Sequence, residues 1–192
     1  AHGYAVASGN RDWFQYTNTT LMDNVAIGID YVPSDGATDV ESSSGITVKY
    51  TGIDGLTIGA GMGEDNGEGP GDSKDVTAFN ITYAIDAITI GYSSYENDTN
   101  SSANSTAGST RVGDDTLTAI GISYAVSDDL SVSLNSSETE LEGLTDQEAT
   151  GISASMVMGS MTLSANHNSV ENVGGTNGKD RSGYALGLSF AF

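Results

Sequence analysis

From Leu56 to Met62 every second residue is apolar: Leu56, Ile58, Ala60 and Met62 alternate with Thr57, Gly59 and Gly61. Period two is the period of a β-strand, whose successive side chains point to opposite faces. What constrains the fold is the second face. It repeats along the chain as Ala26, Gly28 and Asp30; Thr47 and Lys49; Asn80 and Thr82; Ser131, Ser133 and Asn135; Ser153 and Ser155; and Thr162, Ser164 and Asn166. Hydroxyls and amides cannot form a core, because buried polar groups need partners. That face must meet water. The first face carries Val25, Ile27, Ile29 and Tyr31; Ile46, Val48 and Tyr50; Ile88, Ile90 and Tyr92; and Ile120, Ile122 and Tyr124, and it must meet something apolar.

Alternation of this kind predicts eleven strands: Trp13–Thr20, Asn24–Val32, Gly45–Thr51, Leu56–Gly63, Val76–Ala84, Ala87–Tyr95, Thr116–Val126, Leu130–Ser137, Thr150–Val157, Met161–Asn168 and Gly183–Phe192. They are roughly 8–11 residues long, about the length a tilted strand needs to cross a bilayer. Their connections alternate in length. Short turns fall at Leu21–Asn24, Gly52–Gly55, Asp86, Asp128–Asp129 and Met158–Ser160. Long polar loops fall at 33–44, 64–75, 96–115, 138–149 and 169–182. A sandwich has no reason to gather short turns at one end and long loops at the other; an up-and-down transmembrane barrel does so as a rule. The fold expected is therefore an all-β, antiparallel up-and-down transmembrane β-barrel. Residues 1–192 form one barrel domain or the C-terminal portion of one.

Tyrosines bracket the aliphatic stretches. Tyr50, Tyr83, Tyr124 and Phe192 fall toward the short-turn end, and Tyr31, Tyr92 and Tyr184 toward the loop end. Amphipathic rings in two belts are what a membrane interface selects. On the other face, Gln15, Asp30, Thr47, Lys49, Asn80, Thr82, Ser131, Asn135, Ser153 and Asn166 are expected to line an aqueous passage. Small side chains leave room for water there, whereas a filled interior would call for bulk.

Twenty-six acidic residues against six basic ones leave a net charge of −20. Nucleic acid and anionic surfaces are poor partners for such a chain. Most acids lie in the long loops, where they should concentrate cations, an effect salt screens. Cysteine is absent, which removes disulfides and thiolate metal sites. The only histidines are His2 and His167, and no hydrolase or metalloprotease motif accompanies them. No catalysis is expected. The acidic, Gly-rich stretch Glu64–Asp75 could offer carboxylates to Ca2+ but lacks the ordered oxygen spacing of a dedicated loop.

The terminal alternation Tyr184–Phe192, the one-sided loops and the stretch Arg11–Gly36 together resemble the porins of Gram-negative outer membranes. The last of these is similar to the segment after the constriction loop of trimeric general porins. The resemblance implies an outer-membrane location, diffusion of small hydrophilic solutes and cations, a homotrimer, contact with outer-membrane lipid, and a terminal Phe192 read during membrane insertion. Eleven is odd, and a closed bacterial barrel needs an even number. Either upstream strands complete a sixteen-stranded barrel, or Ala1–Ser8 adds a twelfth strand. A structural or adhesive barrel whose acidic loops bind a partner or Ca2+, and a soluble β-sandwich, are the competing expectations.

Overall fold

The tight turns carry their own backbone signature. Asn24, Gly55, Asp86 and Gly159 all have positive φ, between 49° and 72°, and each sits in a two-residue connection between antiparallel strands. Asn, Asp and Gly are the residues that reach the left-handed region at least cost, which is why two-residue hairpins select them. At the turn before Leu130 the Ser127 hydroxyl instead accepts the Leu130 amide at 3.2 Å, a side-chain substitute for a backbone turn.

The computed structural model describes residues 14–34, 42–66, 73–99 and 114–191. These form β1 (Phe14–Met22), β2 (Val25–Val32), β3 (Ser43–Ile53), β4 (Leu56–Asn66), β5 (Ser73–Ile85), β6 (Ile88–Thr99), β7 (Asp115–Ala125), β8 (Leu130–Leu141), β9 (Gln147–Met158), β10 (Met161–Glu171) and β11 (Arg181–Phe190). The hydrogen-bonded order is the sequence order, β1 through β11. A 3-10 turn, Val173–Gly175, is the only other element, and no α-helix occurs among the described residues.

All eleven expected strands are present, and the boundaries differ in a consistent way. β8 runs on to Leu141 and β9 begins at Gln147, so the expected loop 138–149 shrinks to 142–146. β10 likewise extends to Glu171, and β4, β5 and β6 reach Asn66, Ser73 and Thr99. Backbone pairing does not stop where apolar side chains stop: Glu138 pairs with Glu148, and Thr139 with Gln147. Trp13, the Ala1–Ser8 segment, Phe192 and most of the loops 33–44, 64–75 and 96–115 lie outside the described residues.

Contacts divide the chain into two compact units: Ala1–Ile81 with Ser94–Thr116, and Thr82–Ser93 with Leu117–Phe192. In the first, the apolar side reads across β2, β3 and β4 as Val25, Tyr50 and Ile58; Ile27, Val48 and Ala60; then Ile29, Ile46 and Met62. A register irregularity between Tyr50 and Ile53 brings Ile53 opposite Leu56 at the turn.

In the second unit four strands give complete rows across β8, β9, β10 and β11. The apolar side reads Leu130, Met156, Leu163, Leu188; then Val132, Ala154, Ala165, Leu186; then Leu134, Ile152, His167, Tyr184. Beyond these it turns polar, with Ser136, Thr150, Ser169 and Ser182, and then Glu138, Glu148 and Glu171. The opposite side reads Ser131, Ser155, Ser164, Gly187; then Ser133, Ser153, Asn166, Ala185; then Asn135, Gly151, Asn168, Gly183.

Neither side is a conventional core. Val32 and Leu141 are the buried hydrophobic residues among those described, at 3% and 4% exposure, while Ile29, Ile46, Val48, Ile120, Leu134 and Ile152 are all exposed. A two-layer sandwich would bury one such face against another. The apolar side therefore has no protein cover, and the sandwich expectation fails on this point.

Candidate functional site

The polar side is built by close approach. In the first unit Gln15 Nε2 donates to Asp30 Oδ1 at 2.7 Å, joining directly paired positions of β1 and β2. The Thr47 hydroxyl lies 2.5 Å from where a Cβ on Gly28 would sit, and the Asn80 amide covers Gly59. Lys49 shares this side with Asp30 but stands two rows nearer the turn: Asp30 pairs with Gly45, and Lys49 with Ala26. Asp30 is buried, at 4% exposure.

In the second unit Asn135 and Asn168 both fold over Gly151, whose missing side chain makes the space for them. Asn168 Nδ2 donates to Asn166 Oδ1 at 3.2 Å, and the Ser133 and Ser153 hydroxyls bond at 2.7 Å. Asn135, Ser153 and Asn166 thus form one polar surface on neighbouring strands, with Ser131 a row below. Thr82 lies on β5, on the same parity as Asn80.

Of the expected aromatic belt, Tyr31, Tyr83, Tyr92, Tyr124 and Tyr184 are exposed on the apolar side, Tyr184 to 85%. Tyr50 is half-exposed, its ring lying over Gly52. His167 joins this belt: its ring stacks on Tyr184 with centroids 4.5 Å apart. It sits in the last apolar row before the serines, where an amphipathic ring suits an interface. A depression of about 680 Å³ on this side is walled chiefly by Ile90, Ile120, Ile122, Leu134, Ile152 and His167.

Several apolar residues fall on the polar parity, and two of them are buried. Val32 and Leu141 fall on the polar side at the loop ends of β2 and β8, and both are buried. Leu141 is covered by the neighbouring loops. Its Cδ1 and the Leu144 Cβ approach Gly175 to within 3.0 and 2.7 Å of where a Cβ would stand. The Leu141 amide donates to Asp146 Oδ1 (3.4 Å), Asn172 Nδ2 to the Asp146 carbonyl (3.0 Å), and the Gly174 amide to Gln147 Oε1 (2.9 Å). The Asn172 amide reaches Asp180 Oδ1 at 3.1 Å, while Asn172 Oδ1 accepts from the Gly178 amide at 3.0 Å. Leu141 and Gln147 both belong to the polar side, so the 172–180 loop is folded onto that side and clasped to 142–146. The apolar interruption Leu141 to Leu144 inside an otherwise polar stretch was the available signal for it.

Charges segregate by side. Glu64, Asp75, Glu96, Asp98, Asp114, Glu138, Glu148 and Glu171 share the parity of the apolar residues, beyond the last apolar row. The Asp114 carboxylate, followed by burial, a hydrogen bond to Asp114 and the charges of Asp75 and Glu96, raises the Asp98 carboxyl above its ordinary value. The polar side includes Asp30, Asp115, Lys49, Lys74 and Arg181, and Asn97 Nδ2 donates to Asp115 Oδ1 at 2.8 Å.

Residues 93–192, just over half of the chain, match the family model of the Gram-negative porins. The chain belongs to this family. Its place is the bacterial outer membrane, so the apolar side of these strands is the lipid side and the polar side faces water. The fold of this porin is similar to the solved structure of the NanC porin in a rhombohedral crystal form. The TM-score is 0.54 and the identity 10%, over 94% of this chain and 98% of that one. No curated protein sequence matches the chain.

Proposed function

We propose that this porin forms a water-filled passage for small hydrophilic solutes and ions, weakly cation-preferring, and that it works as a homotrimer in outer-membrane lipid rather than as an enzyme. One observation carries the reading. Large aliphatic residues are exposed on one side of the strands, while the other side offers Ser, Thr, Asn and Gly with half-buried hydroxyls and amides. In a bilayer every strand must satisfy its backbone through its neighbours, and a closed wall with a wet interior does so. Gln15, Asp30, Thr47, Lys49, Asn80, Thr82, Ser131, Asn135, Ser153 and Asn166 are its lining. Tyr31, Tyr50, Tyr83, Tyr92, Tyr124 and Tyr184 mark the membrane interfaces. The cation preference follows from the charge of −20 acting at the mouth.

Single-channel recording in planar bilayers tests the passage: stepwise conductance from refolded protein is expected, and its absence would refute it. Intact mass of the native chain decides between a twelve- and a sixteen-stranded barrel, and mass measurement in detergent decides the trimer. Ca2+ at the acidic loops predicts a Ca2+-dependent rise in melting temperature.

A further inference from the structure

We infer that Asn135, Asn166 and Asn168, on the water side of β8 and β10, form a subsite that binds neutral polyhydroxylated solutes, sugars among them, as they pass. The inference deepens the channel reading above by naming a solute class for it, and rests on it.

The subsite is built around a missing side chain. Gly151 stands on β9 directly between its two register partners, Asn135 of β8 and Asn168 of β10. It is buried, and the side-chain oxygens of both asparagines converge on the point where its Cβ would be, that of Asn168 to within 2.6 Å. Neighbouring strands run about 4.8 Å apart, so two amides on alternate strands meet only because the strand between them carries no side chain there. Asn168 is held in place by its bond to Asn166 Oδ1 at 3.2 Å, which leaves Asn166 its own amide hydrogens. Asn135 makes no side-chain hydrogen bond to the protein among the described residues. In the first unit Gly59 lies under a single amide, that of Asn80, and no such pair forms over it.

Converging oxygens with amide hydrogens beside them match adjacent hydroxyls, each of which both donates and accepts. Ions fit poorly. The water-side positions of β8–β11 from 131 to 139, 147 to 157, 162 to 170 and 183 to 189 carry no ionisable side chain. Asp146, Asp180 and Arg181 stand at the loop end, a row or more above the amides. A cation such as Ca2+ takes about six to eight oxygens, and two neutral ones do not replace its water. Ala149 and Val170, paired one row above the amides, offer an apolar step to the C–H edge of a sugar ring.

Open-channel current noise in planar bilayers, recorded with rising sucrose, tests this on the full chain. Noise from the parent should rise and then saturate, and a polyethylene glycol of equal mass should not reproduce it. Asn135→Leu/Asn168→Leu keeps the volume, removes both amides and should weaken sucrose binding by about tenfold; either substitution alone should weaken it by less, and serves if the double variant does not fold. Gly151→Ala keeps every amide but sets a methyl group where the two oxygens meet. Only flexible side-chain ends must move, so the sheet should fold as before while sucrose binding weakens. Ser155→Ala, two rows nearer the turn on β9, should leave binding unchanged. Noise that does not saturate, an equal effect of the polyethylene glycol, or parent-like binding in the asparagine and Gly151 variants overturns the inference while leaving the channel intact. Absence of current from the folded parent chain brings down the channel reading, and this inference with it.

Discussion

The two sides of β8–β11 share one backbone, one register and one set of hydrogen bonds, yet one is leucine and isoleucine and the other serine and asparagine. Nothing in the ladder itself distinguishes them. The difference shows that in this chain side-chain parity alone assigns lipid and water, and that stability comes from satisfying the backbone rather than from filling a core. Neighbouring residues should therefore respond oppositely to one substitution.

The largest contrast is expected between Val132→Arg and Ser131→Arg. Val132 lies in the middle of the apolar rows, so a charge there should cost about 2–4 kcal/mol of folding free energy in lipid. Ser131 faces water, and its replacement should leave stability nearly unchanged while lowering conductance by occlusion. Urea titration in phospholipid vesicles and single-channel recording separate the two, and equal costs would break the assignment of sides.

A second contrast is between rows and loops. Gly175 has φ of +75° and Leu144 and Leu141 pressed against it. Gly175→Ala should therefore combine left-handed strain, about 1–2 kcal/mol, with crowding of similar size. Faster hydrogen exchange at 142–146 and 172–180, with the strands unchanged, is the expected readout. Asn172→Ala removes partners of Asp146 and Gly178 and should loosen the same residues by about 1 kcal/mol for each bond lost, with noisier open-channel current.

The smallest effect concerns pH at the loop ends of β6 and β7. Asp98 binds its proton more tightly in the folded chain than its ordinary value of 3.8 allows, chiefly because Asp114 faces it. The folded state is thus favoured below that value, and the gain is lost as pH rises through the raised one. Exchange protection there should fall over this window, and Asp98→Asn should abolish the dependence.

Much of this was legible beforehand. Eleven strands and their tight turns follow from alternation and from Asn24, Gly55, Asp86 and Gly159. The ends of the strands were not, because pairing persists through Glu138–Glu148 and Thr139–Gln147 after apolar alternation has ceased. The charge segregation escaped for the same reason: Glu148 and Glu171 read as loop residues until their strand parity is known. The clasp around Leu141 depends on bonds between segments 26 to 27 positions apart, such as Asn172 to Asp146 and Gly174 to Gln147, and the local pattern offers only the apolar interruption Leu141 to Leu144 as a sign of it.

Two hairpin tips tied through Asn172 form one discontinuous surface, so an antibody raised against it in the folded chain should not bind synthetic peptides copying either tip alone.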